Sequence, residues 1–274
     1  MGTMPRLDVN GTDLYYEVYG EGEPILGIHG TPSSALLWVD AAGELANLGR
    51  CIIYDRRGFH RSERPAPFGS VDLTDHVEDA AGLLDSLSAT PALVIGRSTG
   101  GEIALELARC FPDRVRALVL LEPAVFTVDP EATAWAGRLR ERVLQAAAHD
   151  PSSAAEAVFR EALGDQAWQS FPEELKELFA ATSPAVLAEI RGRGLDLSEE
   201  PLDLSGEELA GISQPTLIVS SEDSPEPLRR VNDRLAEALP HNETVLVPGG
   251  HLVYPAHPAV LGFVARVLKP PYWA

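Results

Sequence analysis

The chain has 274 residues, 45% of them apolar and 23% charged, with a formal net charge of −19 at pH 7. That length and balance fit one large α/β domain, or a core carrying an insertion. The negative charge excludes a phosphate-backbone partner, which needs clustered cations, so no nucleic-acid binding is expected. Two cysteines, Cys51 and Cys110, give neither a disulfide framework nor metal-ligand spacing, and a reduced, cytoplasmic setting is expected. Residues 1–6 carry no apolar signal run, and Arg6 stands where lipidation at Gly2 would need Ser or Thr. No stretch is long enough to span a bilayer, so no membrane partner is expected.

Residues 7–9 and 14–18, joined by Asn10-Gly11, read as an opening hairpin. Residues 24–28 form a short apolar run that ends in His29-Gly30-Thr31-Pro32. A loop at that place can aim a backbone N–H of Gly30 or Thr31 at a developing oxyanion. His29 itself is expected to shape the loop by packing and hydrogen bonding. Residues 50–55 are the next strand, followed by Arg56-Arg57-Gly58-Phe59-His60-Arg61-Ser62. No glycine-rich cradle with a lysine accompanies these three arginines, so a turn tying loops together is expected rather than a phosphate site. Apolar residues Val71, Val77, Ala80, Ala81, Leu84 and Leu87 predict an amphipathic helix over 71–87, with His76 a surface or packing histidine.

The stretch Leu93-Val94-Ile95-Gly96-Arg97-Ser98-Thr99-Gly100-Gly101-Glu102 combines a buried strand with a G-x-S-x-G turn. Ala104, Leu105, Leu107 and Ala108 follow at helical spacing. A serine at such a strand-to-helix turn has its hydroxyl held out at the sheet tip, which marks Ser98 as the candidate nucleophile. The N–H of Thr99 then opens the helix, where negative charge is stabilised. Residues 115–121 are another buried strand, ending in Glu122-Pro123. A carboxylate at a strand's C-terminal edge lies where chemistry gathers in α/β sheets, although anchoring a loop explains Glu122 equally well.

From residue 124 to about 211 strand runs vanish, and helical stretches at 132–148, 153–163 and 173–181 dominate. This reads as a helical insertion (124–211) dividing a core into 1–123 and 212–274. Trp135, Trp168, Phe171 and Phe179 could line a pocket, though packing is the simpler account of any one of them. Residues 186–193 read as a helix, and the acidic run 196–208 as a solvated loop. The core resumes with a strand at 215–220, a helix at 228–239 and a strand at 244–247, and a helix at 256–268 closes it. Between the last two, Pro248-Gly249-Gly250-His251 places a histidine where it can reach Ser98 and serve as its general base, as imidazoles do near neutral pH. His257, before Pro258, is expected to shape the start of the last helix.

Four motifs in order carry a resemblance: His29-Gly30-Thr31-Pro32, Asp55-Arg56-Arg57-Gly58, Gly96-Arg97-Ser98-Thr99-Gly100-Gly101 and Gly250-His251. The chain resembles α/β-hydrolase-fold enzymes over essentially its whole length. The resemblance implies a mostly parallel eight-stranded α/β sheet with a helical cap between strands six and seven. Residues 29–34 also resemble the oxyanion loop of haloalkane dehalogenases and epoxide hydrolases. Those enzymes use an aspartate where this chain has Ser98, which argues against both chemistries. Many members carry the triad acid as an Asp after strand seven, preceded by a glycine that Ser220-Ser221-Glu222-Asp223 lacks. Others, similar to fungal zearalenone lactonases, use a Glu directly after strand six, where Glu122 falls. Residues 248–258 resemble that group too, so Glu122 is the preferred acid and Asp223 the alternative. His60 stands where the family usually has a small residue.

The expected function is serine-based hydrolysis of a carboxylic ester or lactone of a hydrophobic small molecule through an acyl-enzyme. Ser98 would be the nucleophile, His251 the base, and Thr99 with Gly30 or Thr31 the oxyanion hole. The chain supplies its own nucleophile, so no cofactor or metal is required. Carbon–carbon bond hydrolysis, perhydrolysis or a slowly turning-over ligand receptor would use the same residues. The oligomeric state stays open, a homodimer among the options.

Overall fold

Aliphatic runs such as Cys51–Tyr54 and Val115–Leu121 are buried on both faces, the pattern of strands covered by helices on each side. The computed structural model describes residues 5–268, so Gly2 and the rest of residues 1–4 lie outside it. In chain order the first half runs β1 (Arg6–Val9), β2 (Thr12–Tyr19), β3 (Pro24–Ile28), α1 (Val39–Leu45), β4 (Arg50–Tyr54), α2 (Leu73–Ser86), β5 (Ala92–Arg97), α3 (Thr99–Cys110) and β6 (Val115–Leu121). Six helices follow without a strand: α4 (Pro130–His149), α5 (Ala154–Leu163), α6 (Asp165–Ser170), α7 (Glu173–Ala180), α8 (Ser183–Arg191) and α9 (Gly206–Ala210). The chain then returns through β7 (Thr216–Ser221), α10 (Glu226–Ala238), β8 (Asn242–Val247) and α11 (Pro258–Leu268).

One eight-stranded sheet results, in the order β1-β2-β4-β3-β5-β6-β7-β8. The β1–β2 and β2–β4 pairs are antiparallel, and every later pair is parallel. Successive strand residues point to opposite faces, which splits the core in two. Leu26, Ile52, Val94 and Leu118 pack with α2 and α3 on one side. Ile25, Ile53, Leu93 and Val119 pack with Trp38, α1 and α11 on the other.

Local chemistry sets several boundaries. The helix expected over 71–87 starts at Leu73, two residues later than periodicity implies, because the Asp75 carboxylate accepts from the Asp72 N–H and fixes Asp72 as the N-cap. Asp129 caps α4 by accepting from the N–H groups of Glu131 and Ala132, and Arg230 of α10 donates to the same carboxylate at 3.0 Å. That shared acid ties the helical segment back to the sheet layer. Phe159, Trp168, Phe171 and Phe179 form one aromatic cluster inside the segment. Of the four aromatics singled out in the sequence, then, Trp168, Phe171 and Phe179 pack against each other.

Three glycines let β3, β5 and α3 touch backbone to backbone. A Cβ at Gly96 would lie 2.2 Å from the Gly100 carbonyl oxygen, and one at Gly100 would lie 2.2 Å from the Ile28 carbonyl oxygen. A Cβ at Gly30 would lie 2.8 Å from the Arg97 carbonyl oxygen. None of these atoms can swing aside. Gly100→Ala should therefore lose more from overpacking (about 1–3 kcal/mol, or more) than the roughly 1 kcal/mol it gains in helix propensity. Gly137→Ala, within α4 and with open space at its Cβ, should stabilise by about 0.5–1 kcal/mol. Urea unfolding midpoints of the two variants should move in opposite directions.

Candidate active site

Ser98 sits between β5 and α3 with φ 54° and ψ −124°, a conformation that L-residues rarely adopt. The turn is held on both sides: the Ser98 N–H donates to Leu121 O, and the Ser98 carbonyl accepts from Gly101, Glu102 and Ala124. The hydroxyl is thereby presented at the C-terminal edge of the sheet, at the head of α3.

Glu122 occupies the equivalent place on the next strand. Arg97 pairs with Leu121 in the β5–β6 register, so Ser98 and Glu122 are the first residues past adjacent strand ends. Glu122 also has positive φ, 47°, and is fully buried. Its Oε1 accepts the Ser221 N–H at 2.8 Å, and its Oε2 accepts the Ser224 hydroxyl at 2.6 Å and His251 Nδ1 at 2.8 Å. A carboxylate only accepts, so Nδ1 carries the imidazole proton and Nε2 presents a lone pair. Asp223 is exposed, and its backbone N–H donates to Gly249 O, pinning the loop that precedes His251. Among the described residues no hydrogen bond joins the Asp223 carboxylate, or the Ser98 hydroxyl, to His251. His257 accepts the Ala259 N–H at 3.2 Å and so caps α11.

The loop after β3 is positioned by side chains from far along the chain. His29 Nε2 accepts the Arg56 N–H at 3.0 Å, so Nδ1 holds the proton and donates to Gly30 O at 2.8 Å. In a trans peptide this turns the Thr31 N–H to the opposite side of the linkage. Burial, with Arg56 alongside, drives the His29 pKa down to about 3, so the ring stays neutral. Arg56 is fully buried; its guanidinium donates to the Thr31 hydroxyl at 2.5 Å and to Glu189 of α8 at 2.6 Å. Glu189 also accepts from Thr31 Oγ1 at 2.7 Å and bonds His76 Nε2 at 2.8 Å. His76 is thus a buried member of an ion network and not a surface residue. Burial raises the Glu189 pKa, but Arg56 and His76 outweigh it and hold the group at about 2. Arg57 pairs with Asp79 of α2, and Arg61 with Asp55 and Glu17. All three arginines of the motif are thus neutralised by carboxylates, as a loop tie requires. His60 approaches Asp55 at 3.4 Å from a positive-φ turn.

These parts converge on a cavity of about 40 Å³ lined by Gly30, Thr31, Ser98 and His251 on one side and by helical-segment residues on the other. Trp135 lines it, as do Phe126, Val158 and Phe159, which the sequence did not single out. Arg97 lines it too; its buried guanidinium lies against the Trp38 ring and donates to Val253 O, and among the described residues its Nη2 has no hydrogen-bond partner. Asp196 also lines the cavity, so the expectation of a solvated acidic run fails at that residue. The reason is local: Glu102 accepts the Asp196 N–H at 3.0 Å and draws the chain onto α3.

Because the folded-state pKa of His29 lies below its ordinary 6.5, its stabilising contribution is complete above pH 6.5 and is lost as pH falls towards about 3. Unfolding free energy should drop between pH 7 and pH 4, with His29 accounting for on the order of 3 kcal/mol. Urea titrations of wild type and His29→Gln at both pH values test this; the variant should show a weaker pH dependence.

Among the described residues no helix is long and apolar enough to cross a membrane. A protein of Azorhizobium caulinodans named as a carbamate hydrolase is 37% identical over 118 residues, 43% of this chain and 44% of that protein. The matched stretch therefore spans less than half of that relative's length. A thermophilic esterase from Thermogutta terrifontis superposes with a TM-score of 0.75 at 25% identity, covering 98% of this chain and 100% of the other. Est816, described as an N-acyl homoserine lactone degrading enzyme, superposes with a TM-score of 0.73 at 25% identity, covering 96% of this chain and 99% of that one. The family described as alpha/beta hydrolase fold matches residues 23–258, and with the sheet order and the turn at Ser98 already in place, the chain belongs to that family.

Proposed function

We propose that the protein hydrolyses carboxylic ester or lactone bonds of hydrophobic small molecules through an acyl-enzyme on Ser98. The observation that carries this is the convergence of a strained, presented serine and a Glu122-oriented imidazole on one mostly apolar cavity. Residues 124–211 act as a cap over a core formed by 1–123 and 212–274. The substrate is a small molecule, and neither nucleic acid nor membrane takes part.

In the first half-reaction Ser98 Oγ attacks the carbonyl carbon as His251 Nε2 takes its proton. Glu122 holds the imidazole in the tautomer that leaves Nε2 basic, and it stabilises the imidazolium that forms. The oxyanion is met by the Thr99 N–H at the head of α3 and by a loop N–H, from Thr31 as His29 orients it or from Gly30. His251 then protonates the leaving oxygen, and the alcohol departs; in a lactone it stays tethered to the acyl group. Water deprotonated by His251 attacks the ester, releasing the acid and restoring Ser98. The esterase and lactone-degrading neighbours support this bond class.

Steady-state hydrolysis of p-nitrophenyl butanoate tests the assignment. Ser98→Ala should lose about 10⁴-fold or more in kcat, and Glu122→Gln about 10³–10⁴-fold, because glutamine holds the wrong tautomer. Asp223→Asn should stay within about threefold of wild type. A crippled Asp223→Asn beside an active Glu122→Gln would reverse the acid assignment.

A further inference from the structure

The mechanism leaves one carboxyl group in the cavity wall without a task. Asp196 lies in the segment between α8 and α9. One of its oxygens accepts from Thr99 Oγ1 at 3.1 Å, while its N–H is held by Glu102. Both partners belong to the first turn of α3, the turn that begins at Ser98. Asp196 is therefore fixed beside the residue whose backbone N–H faces the substrate carbonyl.

Asp196 is half-buried, and it lines two cavities: the one it shares with Ser98 and His251, and a neighbour lined by Phe126, Arg140 and Glu199. Among the described residues it is the only carboxyl group lining the first. Around it that wall is apolar, with Trp135, Leu139, Phe159, Leu197 and Leu228. No cation among the described residues lies within 4 Å of it, since the nearby Arg56 is committed to Glu189. The groups facing it are Thr99 and Glu102 of α3, Glu189 of α8, Arg56 after β4 and, across the neighbouring cavity, Arg140 of α4. Burial first, then the Glu189 charge, push its pKa up to about 7, against the pull of Thr99 and Arg56. A purely apolar acyl group would cover this carboxyl and leave its free lone pairs unsatisfied, which is costly in a dry site.

We propose that Asp196 is a substrate-recognition residue that accepts a hydrogen bond from a hydroxyl or amide N–H carried by the acyl part close to the scissile carbonyl. This rests on the acyl-enzyme reading and narrows its substrates to esters or lactones bearing such a donor. No proton or bond changes hands at Asp196; the donor is simply satisfied there while Ser98 reacts. The carboxylate accepts better than the neutral acid, so discrimination strengthens as pH rises through about 7.

The test compares kcat/KM for phenyl butanoate, phenyl 2-hydroxybutanoate and phenyl 3-hydroxybutanoate at pH 6 and pH 8, each corrected for its spontaneous hydrolysis. The readout is the ratio of the better hydroxy ester to the plain one, which cancels any common effect on His251. In wild type the ratio should reach about tenfold or more at pH 8 and shrink at pH 6. Asp196→Asn, which keeps an acceptor but cannot titrate, should make the ratio independent of pH. Asp196→Leu should bring it to one or below. A wild-type ratio within about twofold of one at both pH values, or a ratio unaltered in Asp196→Leu, overturns the proposal while the hydrolase reading stands. If wild type turns over none of the esters faster than Ser98→Ala, the hydrolase reading falls and this proposal falls with it.

Discussion

A central strand has to become a helix within a single residue, and that residue is Ser98. Its φ of 54° is a cost of order 1–3 kcal/mol that only a fully determined surrounding can hold in place. The surrounding is backbone: Gly96 against Gly100, Gly100 against Ile28, and Gly30 against Arg97. With a side chain at Gly96 or Gly100, α3 would have to back away from β3 and β5, and with one at Gly30 the loop after β3 would have to leave β5. The distance from the Thr99 N–H to the loop after β3 would then change, and that distance is what two donors converging on one oxygen depend upon.

The next strand repeats the device. Glu122 leaves β6 with positive φ at the same register level as Ser98 on the neighbouring strand, so two functional side chains are presented by adjacent strand ends on a rigid base. The third, His251, stands on a longer loop and is steadied from outside by Glu122 and by the Asp223 backbone. Buried charge does comparable work behind the oxyanion loop. Arg56 joins Thr31 of that loop to Glu189 of α8, so the helical segment and the loop are registered through one guanidinium. Such a buried pair contributes little net stability once desolvation is counted, and its value lies in fixing position.

The strand–turn–helix around Ser98 is legible in sequence because its demands are local: aliphatic run, small residues, helical spacing. The parallel strands are legible for the same reason, and their observed ends fall within two residues of the apolar runs. Glu122 and Asp223 are harder to separate, because both follow strands, and what divides them is a backbone angle at residue 122 and the pointing of a loop. Asp196 and Glu189 are not legible at all. A carboxylate in a charged run reads as solvated unless its distant partners are known, and here those partners are Thr99, Glu102 and Arg56. For His76 the packing alternative holds and the surface one does not, a choice the sequence leaves open because its partner Glu189 is far along the chain. The short helices α1 and α6 leave too brief a pattern for periodicity to reveal.

Covalent trapping is the most direct test of Ser98 as the nucleophile. The folded protein would be treated with a serine-directed fluorophosphonate and digested, and its peptides analysed by mass spectrometry. One stoichiometric phosphonyl adduct is expected on Ser98, formed at a rate that collapses in His251→Ala. An adduct on another residue, or none on a protein that is folded and turning over esters, would contradict that assignment.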